Sequence, residues 1–261
     1  MWVIKMQENF LYELTHDDIY FKYAKGPSSR SGKEFHPFFE IILFLGGDAE
    51  LISETVNTRL APDTVVFIPK ETYHQVLIGK DKDNYRRCVI NFTEEFLPAS
   101  RDRLNALAIF EFNEKLRYLF DTAVSISKDA TQANAPLLRS VLEVILYELS
   151  SAEPKASSQN SLSGVTAAAL RYIEENILNE LSIETVAKAC HVSPSLLSHS
   201  FKKDMQTSVY RYCLQKKLLC AYDKISHGTP ATAAALECGF NDYSGFYKQY
   251  KRMFGFSPSK K

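Results

Sequence analysis

The sequence has no apolar run long enough to cross a bilayer, which takes about 18–20 residues. It also has no basic leader followed by an apolar stretch. Helical membrane spans are therefore not expected, and a cytoplasmic location is. It has no CxxC pair. The five cysteines, Cys88, Cys190, Cys213, Cys220 and Cys238, are scattered and odd in number. That pattern fits small core residues in a reducing compartment and not a disulfide framework. A glycine-rich phosphate loop is missing, and no Ser or Cys motif has an obvious base beside it, so nucleophilic catalysis finds no support. There is no net charge either: 31 Lys and Arg balance 31 Asp and Glu.

What is present is uneven. Residues 1–162 hold 18 basic and 23 acidic residues, a balance of −5. Residues 163–261 hold 13 and 8, a balance of +5. A basic C-terminal part beside an acidic N-terminal part fits nucleic-acid binding in one domain only. A length of 261 residues suits two domains. Three divisions are expected: a sensing and dimerisation domain over 1–151, a small polar linker over 152–164, and a helical domain over 165–261.

Residues 1–99 read as β. Short apolar runs at Ile19–Ala24, Phe38–Leu45, Ala49–Ser53, Val65–Ile68, His74–Leu77 and Arg87–Phe92 are separated by Gly, Pro and Asp punctuation, the pattern of an all-β barrel or sandwich. Residues 100–151 turn helical. One apolar series runs Leu104, Leu107, Ala108, then Leu116, Leu119, Phe120, Ala123, Val124. Another runs Leu137, Leu138, Val141, Leu142, Ile145, Leu146, Leu149. Two such helices can pair antiparallel beside the barrel.

The most informative stretch is Ser182–Lys202. Ser182 is an N-cap with Glu184 in the first turn. Ile183, Val186, Ala187 and Cys190 share one face, and His191-Val192-Ser193 forms a turn. Ser193 caps a second helix with Pro194 at its first position. Leu197 and Phe201 face inward, while Ser195, Ser198, His199 and Lys202 face outward. About fifty residues later the grammar returns: Thr229-Pro230 as cap and first turn, Ala231–Cys238 as helix, Gly239 as its stop, and Asp242–Phe254 as a second outward helix. Ala187 and Ala235 occupy equivalent places. Two helix-turn-helix units in tandem suit insertion into successive major grooves, with Val209–Ile225 as a stiff spacer.

The run Gly239-Phe240-Asn241-Asp242-Tyr243-Ser244-Gly245-Phe246, continuing to Pro258, closely resembles the C-terminal signature of AraC/XylS-type transcriptional regulators. The upstream unit and Lys217-Leu218…Ala221 agree in order and spacing. The resemblance is strong over the last ninety residues and loose over the first 150. It implies a DNA-binding regulator that meets RNA polymerase, dimerises through its helical pair and is an activator responding to a small molecule, with a carbohydrate favoured. It places Ser195, Ser198 and His199 of the first unit, and Tyr243, Ser244 and Lys248 of the second, on base edges. Lys202, Lys251 and Arg252 read as phosphate contacts. Ala231, Ala234 and Gly245 stand where relatives carry larger residues. The second unit is therefore expected to be the less stable or less tightly bound one.

In the N-terminal part, His36-Pro37-Phe38-Phe39-Glu40 and Pro69–His74 resemble the two cupin motifs. They imply a double-stranded barrel with His36, Phe38, Glu40, Tyr73 and His74 lining its mouth. Phe38 stands where the second metal-binding His would be, and Glu71 replaces a motif glycine. The expectation is an effector pocket without metal, without cofactor and without enzymatic activity. Two alternatives remain beside it: a regulator controlled by a protein partner, and a cupin metalloenzyme with a DNA-binding appendage.

Overall fold

Alternation of side chains along one strand decides the layering of the first half. In β3 (Phe39–Gly46), Phe39, Ile41 and Leu43 join one buried cluster while Ile42 and Phe44 join another. Successive strand residues point to opposite faces, so a run buried on both sides must lie between two layers. The computed structural model describes residues 10–16, 18–27, 35–98, 104–128, 134–155 and 162–259, with the backbone alone for 10–16. Among these, a six-stranded antiparallel sheet runs β1 (Phe10–His16), β2 (Ile19–Lys25), β8 (Arg86–Phe92), β3, β6 (Thr64–Ile68), β9 (Ala108–Glu111). A second antiparallel sheet of three strands runs β5 (Asn57–Arg59), β4 (Ala49–Ser53), β7 (His74–Ile78).

One face of the larger sheet is covered by α1 (Glu114–Lys128) and α2 (Ala135–Ser151). Leu116, Phe120, Ala123, Leu138, Leu142, Ile145 and Leu149 pack with Phe21, Ile41, Phe67 and Ile90. Lys115, near the start of α1, reaches Glu148, near the end of α2, at 3.5 Å, so the helices are antiparallel. The other face meets the small sheet across Ile42, Phe44, Leu51, Val56, Val66, Ile68 and Tyr85.

Six expected strands appear, each within a residue or so of its expected bounds. Three are additional: β1, β5 and β9. Ala108–Glu111 falls inside the stretch expected to be helical, and that expectation is corrected here. Val65↔Phe110 and Phe67↔Ala108 pair it with β6. The deciding partner lies over forty residues away, beyond what local periodicity reports.

The second compact unit takes in residues 35–37 and 162–259, and its secondary-structure elements are all helices among the described residues. They are α3 (Gly164–Asn176), α4 (Ile183–Ala189), α5 (Pro194–Met205), α6 (Val209–Ser226), α7 (Ala231–Glu237) and α8 (Tyr243–Phe254). Ser163 caps α3, so the helix begins within the expected linker. Residues 156–161 of that linker lie outside the described residues. No helix is long and apolar enough to cross a membrane among the described residues.

Candidate DNA-binding surface and inter-sheet polar cluster

The two helical pairs of the second unit share one backbone turn. After α4, the N–H of Cys190 donates to Val186 O, that of His191 to Lys188 O and that of Val192 to Ala187 O, at 3.0, 3.1 and 3.0 Å. After α7, the N–H groups of Cys238, Gly239 and Phe240 donate to Ala234, Leu236 and Ala235, each at 3.0 Å. The middle residue is left-handed in both, His191 at φ 55° and Gly239 at φ 74°. Gly239 needs that freedom doubly, because a Cβ there would lie 2.9 Å from the carbonyl oxygen of Leu178. Ala187 and Ala235 are both buried at the crossings. Equal hydrogen-bond ladders in sequence-distant segments make these two copies of one supersecondary unit.

Caps set where the second helices start. Ser182 and Thr185 form a reciprocal capping box on α4. On α5, Ser193 Oγ accepts from Leu196 N at 3.2 Å with Pro194 at the first helical position. On α8, the Asp242 carboxylate accepts from the N–H groups of Ser244 and Gly245, at 3.0 and 2.8 Å. The expected Thr229 cap on α7 is corrected. The N-cap position belongs to Pro230, with no side-chain hydrogen bond, while Thr229 N–H donates to Lys224 O at the end of α6.

Leu197, Phe201 and Met205 are buried on α5, and Phe246, Tyr250 and Phe254 on α8. Ser195, Ser198, His199 and Lys202 are exposed, as are Tyr243, Ser244, Lys248, Lys251 and Arg252. Every nominated residue therefore lies on the outer side of its recognition helix. Tyr243 is also packed, its ring 5.7 Å from that of Phe246. Leu196, in the first turn of α5, is 47% exposed, although apolar residues on a helix are assigned inward by default.

Gly245 does not open a gap at a helix crossing. A Cβ there would meet Asp242 Oδ2 at 2.7 Å, so the missing side chain makes room for the cap. A chain of rings runs along α8. Phe240 lies 5.0 Å from Phe246, Phe246 lies 5.4 Å from Tyr250, Tyr250 lies 4.5 Å from Phe254, and Tyr222 of α6 lies 4.9 Å from Phe254.

In the β-unit the nominated residues divide. Glu40 faces the small sheet from β3, and His74 opens β7 on the facing side. His74 Nε2 and Glu40 Oε2 are 3.0 Å apart, linking the two sheets. His74 Nδ1 lies 3.0 Å from Thr72 O, so that nitrogen carries a proton. The Nε2–Oε2 contact then requires another proton between imidazole and carboxylate. Asn91, beside Glu40 in the β8 register, donates to Glu40 Oε1 at 3.1 Å. Tyr73 is fully buried, its hydroxyl 3.5 Å from Gln75 Oε1. His36 is buried and Phe38 half-buried. Glu71, at φ 61°, adopts the left-handed conformation for which the motif's glycine is suited.

Comparison with known families places both halves. The AraC-like ligand binding domain family matches residues 17–153, and a helix-turn-helix domain family matches residues 186–261. XylDLEGF operon transcriptional activator 2 of Pseudomonas putida is 32% identical over 94 residues, covering 34% of this chain and 60% of that protein. Transcriptional activator RhrA of Rhizobium meliloti (strain 1021) is 26% identical over 123 residues, covering 46% of this chain and 38% of that one. The chain thus spans less than two thirds of these relatives' length. The crystal structure of ToxT from Vibrio cholerae O395 aligns at 11% identity and a TM-score of 0.41, covering 96% of this chain and 94% of that one.

Proposed function

Because this chain belongs to the AraC family of transcription regulators, we propose that it binds double-stranded DNA sequence-specifically through α5 and α8 and activates transcription in response to a small molecule. The observation that carries this is the repeated turn: two units with matching hydrogen bonds, each presenting a capped helix with polar residues outward. Ser195, Ser198 and His199 read bases from α5, and Tyr243, Ser244 and Lys248 from α8. Lys202, Lys251 and Arg252 hold phosphates. The 18-residue α6, about 27 Å long at 1.5 Å per residue, spaces the two helices for successive grooves. The division into a sensing domain over 1–151, a linker over 152–164 and a DNA-binding domain over 165–261 belongs to the same reading, as does a cytoplasmic location.

The effector, a carbohydrate in this reading, is bound by Glu40, His74, His36 and Tyr73, with Phe38 against an apolar ring face. Dimerisation uses the outer side of the α1–α2 pair. Tyr118 and Tyr147 are 73% and 64% exposed there, beside a shallow groove of about 390 Å³ lined by Leu119, Val144 and Glu148. Such apolar exposure is not accounted for by the chain's own core. RNA polymerase is the further partner.

A second reading has one observation in its favour. Ile42, Phe44, Leu51, Val66 and Ile68 form an apolar cluster between the two sheets, and a barrel filled by such side chains favours control by a protein partner over control by a small molecule.

Selection from random-sequence DNA with the full chain, followed by anisotropy titration, tests the DNA reading. A single enriched motif is expected. His199→Ala and Lys248→Ala are each expected to weaken binding to it by about 5- to 150-fold, the range of one lost base contact, with little change on unrelated DNA. Enrichment of no motif would overturn the proposal. A thermal-shift screen against sugars separates the two readings of control.

A further inference from the structure

The five cysteines are not alike. Cys88 lies in the core under α1 and α2, and burial pushes its thiol up to about 12. Burial likewise pushes Cys213 up to about 11 and raises Cys190. Cys220 and Cys238 differ because they meet. Cys220 lies on α6 and is half-buried. Cys238 is the C-cap of α7 and is fully buried. Their side chains are joined by a hydrogen bond between sulfurs.

An ion pair fixes the approach. Lys224, one turn beyond Cys220 on the same side of α6, holds Glu237 Oε2 at 2.6 Å, and Glu237 immediately precedes Cys238. The stretch of α6 that carries Cys220 and the end of α7 are thereby held side by side. On the other side of the turn, Lys217 reaches Asn179 O at 2.8 Å, close to Gly239.

We propose that Cys220 and Cys238 form a reversible modification site, a dithiol that hydrogen peroxide oxidises to a disulfide tying α6 to the end of α7. Cys220, the more accessible sulfur, attacks one peroxide oxygen. The O–O bond breaks, hydroxide leaves and takes up a proton as water, and Cys220 becomes a sulfenic acid. The sulfur of Cys238 then attacks that of Cys220, and the hydroxyl leaves with the Cys238 proton as a second water. Two electrons pass from the two sulfurs to the peroxide. The shared hydrogen bond and then burial raise the thiol of Cys238. Cys238 is fully buried and Cys220 only half-buried, so first attack falls to Cys220. Lys224 lies near both sulfurs while its ammonium holds Glu237. Cys238 ends the first helix of the second helix-turn-helix unit, so the bond pins that helix to its spacer.

The test uses the full chain, reduced and then exposed to about a tenfold excess of hydrogen peroxide. It is quenched with N-ethylmaleimide, digested and analysed by mass spectrometry. The expected product is a Cys220–Cys238 linked peptide, two hydrogens lighter than the reduced pair and released by dithiothreitol. Cys88 and Cys213 should not be linked to each other or to this pair. Amides of residues 231–237 should exchange several-fold more slowly in the oxidised protein. Cys220→Ser should abolish both effects. If that variant does not fold, the linkage map of the unaltered protein decides by itself. A sulfinic acid at Cys220 without linkage, Cys238 fully labelled by N-ethylmaleimide after peroxide, or unchanged exchange over 231–237 would overturn the proposal.

Discussion

Asp242 closes two amide donors at the start of α8 with one carboxylate, and removing it exposes both. Asp242→Ala is expected to destabilise the protein by about 1 kcal/mol, the usual worth of an N-cap, as read from the urea midpoint. Asp204 is a comparable case with a pH signature. Burial would raise its pKa. Hydrogen bonds from the Ser163 hydroxyl, the Thr166 hydroxyl and the Ser163 backbone N–H, with the charge of Lys203, outweigh burial and hold it below its ordinary 3.8. The Ser163 contacts are 2.6 and 3.0 Å. A lowered folded value means that the stabilisation is present above pH 3.8 and is lost as pH falls through the folded value. Asp204→Asn should remove that part of the acid-induced loss. Urea midpoints measured down through this range in both proteins check it, and parallel curves would refute the assignment. Neither carboxylate's role was legible beforehand. Asp242 was read as the first residue of its helix, and the partner of Asp204 is forty-one positions away.

Among the elements, α4 and α7 invite direct comparison because each is seven residues long and each opens a helix-turn-helix unit. Their turns match, but α4 begins on a capping box and α7 on a proline without a side-chain cap. A missing cap is worth about 1 kcal/mol, roughly a fivefold change in local opening. Hydrogen exchange of the reduced protein should therefore be about fivefold faster in 231–237 than in 183–189. Equal or slower exchange in α7 would contradict this. The expectation of a weaker second unit thus rests on α7 and not on α8, whose rings form a continuous chain from Phe240 to Phe254. Phe246→Ala in that chain should cost about 3–5 kcal/mol, the range for a large buried aromatic. Thermal unfolding would show it. The misassigned element, β9, shows the limit of periodicity. Its four residues carry too little pattern of their own, and the hydrogen bonds to β6 decide the matter.

At the scale of the whole molecule the charge is zero, yet affinity for a polyanion depends on where charge sits. Lys202, Lys251 and Arg252 are all exposed on the two second helices. Each phosphate contact releases about one counterion. Lys251→Ala and Arg252→Ala should each reduce the slope of log affinity against log salt by about 1, without changing the preferred motif. Anisotropy titrations at several salt concentrations check this. A slope that did not move would remove those residues from the interface.

The sequence by itself determined the helices of the second half, the tandem repeat and the outward faces. Each of these rests on interactions within one or two turns: Ser182 and Ser193 as caps, Pro194 at a first position, Leu197 with Phe201 on one side and Ser195, Ser198 and His199 on the other. It also determined six strands, as short apolar runs between Gly, Pro and Asp punctuation. Tertiary structure alone decided which strands pair, since β9 is a strand only because β6 lies beside it. It also set the polar bridge of Glu40 and His74, which joins two sheets across thirty-four positions, and the meeting of Cys220 with Cys238. These depend on contacts between segments whose separation along the chain carries no local signal, and they form only when burial of the apolar faces brings the layers together.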